Sequence, residues 1–328
     1  MDEHARFMRS ALQLARRNLG QTWPNPAVGA LIVKNGQIVG EGWTALNGRP
    51  HAETEALSQA GEAAKGATIY VTLEPCSHHG KTPPCADAII AAGIAKVVIG
   101  CGDPNPEVNG NGIAKLKKAG IEVIENICES EAREVNRGFI SVMERKRPYV
   151  ALKIATSHDD KIAGSKERWI TGERARAYGH MLRSRYDAIA TGIGTVLADD
   201  PLLTCRLPGL EDCSPVRVLF DRKGRLPKNA KLAPDYVLNA PLPQAMENLA
   251  GKGITRLLVE AGQQLSTAFM ESGFVDRIYW FRAPTTIGEG GLAAFGSSVT
   301  LANWQKTKAL SLGKDTLEIY EKLCSPAS

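Results

Sequence analysis

The sequence predicts an α/β protein of two domains, each a sheet covered by helices. Three observations carry this expectation. In the first half, apolar stretches of strand length at residues 67–73, 96–101 and 122–126 alternate with helical stretches that open at Cys85 and run over residues 112–119. At 328 residues the chain is longer than one ordinary core requires. Finally, a long helical pattern over residues 129–143 runs into the polar stretch Glu144-Arg145-Lys146-Arg147-Pro148, where proline stops it, and a fresh apolar strand starts at Tyr149. The boundary therefore falls between a domain of residues 1–147 and one of residues 148–328.

Composition narrows the class. The apolar content of 43% is that of a globular protein, and the net charge of +5 is spread without a basic block of the kind that tracks nucleic acid. Seven cysteines, scattered without a framework spacing, point to a reducing compartment. The charged start MDEHARFMRS lacks the apolar core of a signal, and no apolar run approaches the roughly 18 residues that would span a membrane. The expectation is a cytoplasmic protein with neither a membrane nor a nucleic-acid partner.

Taken in order, residues 2–18 read as a helix with Ala5, Met8, Leu12, Ala15 and Leu19 on one face. Trp23-Pro24-Asn25-Pro26 is a stiff loop, followed by strands at 27–34 and 38–44 about a turn containing Asn35-Gly36. Next come Pro50-His51-Ala52-Glu53, opening a helix, and Pro75-Cys76, just past the strand 67–73. Cys85 stands at the entrance of another helix, preceded by two prolines.

Alone, a His-x-Glu is usually a surface coincidence, and two cysteines are usually packed side chains or a disulfide. The three sites together, each at an element end and in the order H-x-E…P-C…C, match the zinc deaminase signature. His51, Cys76 and Cys85 are the expected ligands, which leaves a fourth position for water. Glu53 is the expected proton carrier. On one long helix His51 and Glu53 would face apart, so both can serve one site only if it lies off the first turn. Eight residues separate the cysteines where nucleobase deaminases have two, and the insert carries His78, His79 and Lys81, basic groups suited to an anion.

In the second half, Lys153 lies within the apolar strand 149–155, either at a sheet edge or in a functional position. A helix is expected over residues 173–184 and strands over 187–191, 216–220 and 256–260. Gly192-Ile193-Gly194-Thr195 follows the first of these, and Glu260-Ala261-Gly262-Gln263 links the last to a helix. Both are possible phosphate cradles. A regular dinucleotide fingerprint is excluded because Leu197 occupies the place of its third glycine.

PHAE, TLEPCSHHGKTPPC and GDPNPEVNG, together with WITG, TVLADDPLLTCR and VEAG, resemble the bifunctional riboflavin-biosynthesis deaminase/reductase family over nearly the whole chain. The resemblance implies a cytidine-deaminase-like three-layer α/β/α domain followed by a dihydrofolate-reductase-like α/β domain. It implies zinc and NADPH as cofactors and a homo-oligomer. The substrate it implies is 2,5-diamino-6-ribosylamino-4(3H)-pyrimidinone 5′-phosphate, first deaminated and then reduced at the ribosyl group.

By the resemblance Asn25 lines the pyrimidine pocket, and His78 and Lys81, the basic groups of the insert, are further candidates for contact with the substrate. Carried over by position, Ala155, Trp169, Thr171, Thr195, Asp199 and Gly262, Gln263 and Gln264 line the cofactor, with Arg222 a choice for its 2′-phosphate. Arg183, Leu203, Arg206 and Glu260 line the ribose-phosphate end, where a guanidinium fork suits phosphate oxygens. Lys153 and Asp199 are the candidates for polar assistance at the reacting carbon.

The sequence also departs from the family. Asp160 stands in place of a glycine in Ser157-His158-Asp159-Asp160-Lys161, Glu167 stands where a serine is expected, and the stretch between Leu207 and Gln244 is short. These changes leave an alternative, a deaminase whose second domain is only a substrate-binding or oligomerising scaffold. An editing enzyme acting on flipped-out bases is a third reading, disfavoured by the long inter-cysteine insert and the lack of a basic stripe.

Overall fold

The computed structural model describes residues 3–78, 83–105, 108–164 and 169–323. The chain divides into two compact units, Met1–Lys146 and Arg147–Ser328.

The first unit contains α1 (Glu3–Ala15), β1 (Gly29–Lys34), β2 (Gln37–Trp43), α2 (Ala52–Ala60), β3 (Thr68–Val71), α3 (Cys85–Ala91), β4 (Lys96–Ile99), α4 (Asn111–Lys118), β5 (Glu122–Ile124) and α5 (Glu129–Arg145). Its five strands run in the order β2-β1-β3-β4-β5. The β1–β2 hairpin closes through Asn35 and Gly36, both at positive φ, so that Lys34 pairs with Gln37. β3, β4 and β5 are parallel, which brings their C-terminal loops to one edge.

Two glycines show how the layers close on the sheet. A Cβ on Gly29 would lie 2.0 Å from the Ala11 carbonyl of α1, and one on Gly42 would lie 2.2 Å from the Ala52 carbonyl of α2. Gly42 pairs with Ala30, the neighbour of Gly29, so the two helices cover opposite faces. Met8, Leu12, Ile32, Ile69, Ile89 and Val98 are among the side chains buried between these layers.

The second unit contains β6 (Tyr149–Thr156), β7 (Lys161–Ala163), α6 (Glu173–Arg183), β8 (Ala188–Gly192), α7 (Ile193–Asp199), β9 (Val216–Phe220), β10 (Tyr236–Leu238), α8 (Leu242–Gly251), β11 (Arg256–Val259), α9 (Gln263–Glu271), β12 (Val275–Arg282), β13 (Leu292–Ala293), β14 (Trp304–Leu312) and β15 (Asp315–Lys322). The main sheet has the order β10-β9-β8-β11-β6-β12-β15-β14, parallel through β12 and closed by an antiparallel hairpin.

Three expectations change. β6 is flanked by β11 and β12, so Lys153 lies in a central strand and its edge reading is overturned. Gly194 and Thr195 are not a loop, because α7 begins at Ile193 as soon as β8 ends. Asp160 keeps a φ of 60°, the conformation a glycine would supply, and its carboxylate pairs with Arg282. Aspartate is among the few residues that tolerate this region.

Candidate metal centre and second site

Three element ends converge in the first unit. His51 is the extended N-cap of α2, Cys76 follows the end of β3, and Cys85 begins α3. His51 Nδ1 lies 3.3 Å from Cys85 Sγ and 3.8 Å from Cys76 Sγ, and the three donor atoms all lie within 4.8 Å of one another. Tetrahedral zinc with ordinary bond lengths places nitrogen and sulfur about 3.5 Å apart, so the donor set fits that ion in both chemistry and spacing.

Because His51 is a cap and not a helical residue, it escapes the helix's angular spacing. Glu53, in the first turn and 4% exposed, reaches the same place and hydrogen-bonds Cys85. Burial raises the Glu53 carboxyl above the usual carboxylate range, against the pull of His51. Hydrogen bonding to Cys76 raises His51 against the effect of its burial.

The thiols differ from expectation. The Cys85 thiol, then His51 and the Cys85 backbone N–H, hold Cys76 at about 4, despite its burial. Cys85 itself is raised by its bond to Cys76 and by burial. The amide at the start of α3 thus favours the thiolate of Cys76 and not that of Cys85, the residue that stands at the helix entrance. Cys101 is buried, pushed up to about 12 and bonded to the Thr72 carbonyl, a packed thiol.

Around this cluster, the Asn25 amide rests on Gly48, three residues before His51. Exposed His78 is near enough to act electrostatically on Asp103, a buried carboxyl raised to about 6 mainly by burial. Lys81 and Glu167 lie outside the described residues. The GDPNPEVNG motif contains Asp103, but sequence reasoning gave that residue no role. It also passed over Glu74, although a Glu directly after an apolar strand and before Pro-Cys was the available signal.

The second site gathers at the C-terminal ends of the parallel strands. Glu260, largely buried just past the end of β11, accepts from Arg183 Nε (2.8 Å) and Nη2 (2.9 Å) and from Lys153 Nζ (3.4 Å). Burial would raise this carboxyl, but Arg183 and Lys153 outweigh it and hold it far below the carboxylate range. Arg183 Nη1 also donates to the Thr204 carbonyl (3.0 Å).

The neighbouring Leu203 is buried at a φ of 55°, a strained state for a side chain of its kind. His180, one turn before Arg183, contacts the Thr204 carbonyl (3.1 Å) and the Arg206 N–H (3.2 Å) and steadies the same segment. It had not been singled out; its i, i+3 spacing to Arg183 was the signal. Burial, Arg183 and Arg206 hold it down at about 4.

Thr195 Oγ1 accepts from the Gly262 N–H (3.1 Å), which joins the two strand-to-helix turns. Gln263 binds the Phe295 carbonyl, and Ala155 sits two residues after Lys153 on the same face of β6. Buried Thr171 and half-exposed Trp169 both meet Arg176, through a carbonyl and an aromatic face. Arg206, Asp199, Arg222 and Gln264 are exposed, and no side-chain contact draws the last three into the cluster among the described residues.

Residues 148–317 match the family described as the RibD C-terminal domain, and residues 1–101 match the cytidine and deoxycytidylate deaminase zinc-binding region. The riboflavin biosynthesis protein RibD of Aquifex aeolicus is 41% identical, with 96% of this chain and 98% of that protein aligned. The chain belongs to the RibD family.

The RibD of Escherichia coli is 40% identical over 86% of this chain and 88% of its own length. Among solved structures, Acinetobacter baumannii RibD (form 1) matches with a TM-score of 0.92 at 39% identity, over 98% of this chain and 99% of that one. A Thermotoga maritima diaminohydroxyphosphoribosylaminopyrimidine deaminase/5-amino-6-(5-phosphoribosylamino)uracil reductase matches with a TM-score of 0.88 at 36% identity, with the same coverage. As a RibD, this chain is a bifunctional deaminase/reductase of riboflavin biosynthesis with a zinc-binding deaminase domain and an NADPH-dependent reductase domain.

Proposed function

We propose that the first unit deaminates 2,5-diamino-6-ribosylamino-4(3H)-pyrimidinone 5′-phosphate. The second then reduces the ribosyl group of the product to ribityl, giving 5-amino-6-(5-phosphoribitylamino)uracil. The observation that carries this reading is the convergence of His51, Cys76 and Cys85 beside a buried Glu53.

His51, Cys76 and Cys85 would hold the zinc. When bound, zinc supplies a water acidic enough to be a nucleophile near neutral pH. Glu53, raised by burial, can both accept and return a proton there. It takes one proton from the attacking water and gives it to the ring nitrogen, then carries that water's second proton to the amine, which leaves as ammonia. Asn25 and His78 border the pyrimidine, with Lys81 assigned to the same substrate by its place in the insert.

In the second unit, Arg183 is already held by Glu260 and Thr204, so it presents a fixed edge to the substrate. Exposed Arg206 is the better placed to close on the phosphate. Leu203 shapes the same end. NADPH supplies the hydride when bound. Ala155, Thr171, Thr195 and the turn from Gly262 through Gln264 orient it, Trp169 and Asp199 flank it, and Arg222 takes its 2′-phosphate. Lys153 and Asp199 supply polar assistance at the carbon being reduced. Buried Cys101 and Cys205 are reduced thiols, which supports a reducing, cytoplasmic setting.

The test is one assay on one sample, following ammonia release and NADPH oxidation with zinc determined alongside. Ammonia first and NADPH oxidation after it, with one zinc per chain, is the expected result. Ammonia release with no oxidation of NADPH would refute the reductase half.

A further inference from the structure

We propose that Glu74 is a positioning residue of the deaminase site, whose carboxylate clamps the stretch after β3 that carries Cys76 to Asp103 and to residues 110–113, which wall the site. The proposal rests on the deaminase reading above.

Glu74 is 3% exposed and stands two residues before Cys76. Its Oε2 accepts from the backbone N–H groups of Gly110 (3.0 Å) and Asp103 (3.4 Å). Its Oε1 accepts from those of Gly112 (3.0 Å) and Ile113 (3.2 Å). No Lys, Arg or His forms an ion pair with it among the described residues. A buried carboxylate with no cation beside it is costly unless hydrogen bonds replace its water. Here backbone donors from a loop and from the first turn of α4 do so, with the helix dipole adding to the effect.

α4 has no acidic residue in its own first turn and no side-chain cap, so its cap comes from another strand. The Glu74 N–H in turn donates to the Cys101 carbonyl (3.0 Å), which ties the ends of β3 and β4 together. Contact is close enough that a Cβ on Gly112 would lie 2.2 Å from the Pro75 carbonyl, between Glu74 and Cys76. Asp103 is within electrostatic reach of both Cys76 and His78. One side chain therefore sets the distance between a ligand-bearing strand end and the opposite wall.

Geometry requires the carboxylate. An amide has a single acceptor oxygen, so Glu74→Gln can satisfy the Gly112–Ile113 pair or the Asp103–Gly110 pair but not both, and its NH₂ would face N–H donors. Keeping the helix pair releases the wall.

The experiment compares the full-length wild type with Glu74→Gln in deamination kinetics, zinc content and NADPH-dependent reduction of the deaminated substrate. The expected result is a roughly tenfold rise in deamination KM, the scale of a lost charge-assisted hydrogen bond, with kcat held within about threefold. Zinc content and reduction stay at wild-type values. Wild-type kinetics in the variant would overturn the proposal, and so would zinc loss or a fall in kcat alone. Failure of the wild type to release ammonia would count instead against the deaminase reading. Should the variant not fold, hydrogen exchange of the wild type decides. The Asp103 and Gly110 amides should be protected together with those of Gly112 and Ile113, and fast exchange of the first two would overturn the clamp.

Discussion

Glu260→Gln is the sharpest test of how the second site is held. Glu260 has a side chain 11% exposed and faces two cations, Arg183 and Lys153, whose side chains are 14% and 21% exposed. The substitution keeps the shape and one acceptor oxygen but removes the charge, so the buried cluster goes from one net positive charge to two. Breaking a buried pair by removing one partner costs about 3–5 kcal/mol, and the surviving acceptor argues for about 3. A domain of this size loses roughly 2–4 °C of Tm per kcal/mol, so the unfolding transition of the second unit should fall by about 6–12 °C.

The pH dependence supplies a second readout. The folded pKa of Glu260 lies below its unfolded value, so its stabilisation is fully present above the ordinary carboxylate pKa of about 4.3. It is lost as pH falls below that value toward the depressed folded pKa. Calorimetry of wild type and variant should show a gap at pH 7 that narrows steadily below about pH 4.5. A variant melting within about 2 °C of wild type at pH 7, or a gap that does not narrow in acid, would refute the argument.

Three further outcomes are expected. Glu53→Gln should lower the deamination kcat by about 10²–10⁴-fold while metal analysis still finds zinc, because the carboxylate moves protons and is not among the ligands. Arg206→Ala should raise KM for the phosphorylated substrate in the reduction, read by NADPH oxidation, and leave ammonia release unchanged. Asp160→Gly should relieve the positive φ, lose a half-exposed ion pair to Arg282 and gain chain entropy when unfolded; these terms offset, so thermal melts should place it within about 1 kcal/mol of wild type.

The deaminase site was legible in the sequence because its ligands sit at element ends, where proline, glycine and a change of periodicity mark positions in the fold. His51 after Pro50 and Cys85 after Pro84 were expected at helix starts and stand there, and Cys76 after Pro75 joins them, five residues beyond the end of β3. What the thiols do was not legible, since it depends on which backbone N–H reaches which sulfur. In the second half, β6, β8, β9 and β11 read well. The short strands β7, β10 and β13 went unread, as did β12, β14 and β15, partly because β14 is a mostly exposed strand without alternation. Lys153 could not be placed at the edge or centre from its own strand, because strand order is set by partners far along the chain. The same holds for Glu74 and His180, whose roles lie in contacts to residues 24 to 39 positions away.

Three buried glutamates show why residue type alone carries so little of this. Glu53 is buried beside two thiols and a histidine, and burial raises its carboxyl so that it can exchange a proton. Glu260 is gripped by a guanidinium and an ammonium, so it stays an anion and orders the cations around it. Glu74 meets neither; four backbone N–H groups converge on it, and its charge goes into joining two pieces of chain. One side-chain chemistry thus moves a proton, fixes two cations or clamps a loop, and the neighbours that choose among these tasks come from other strands and helices.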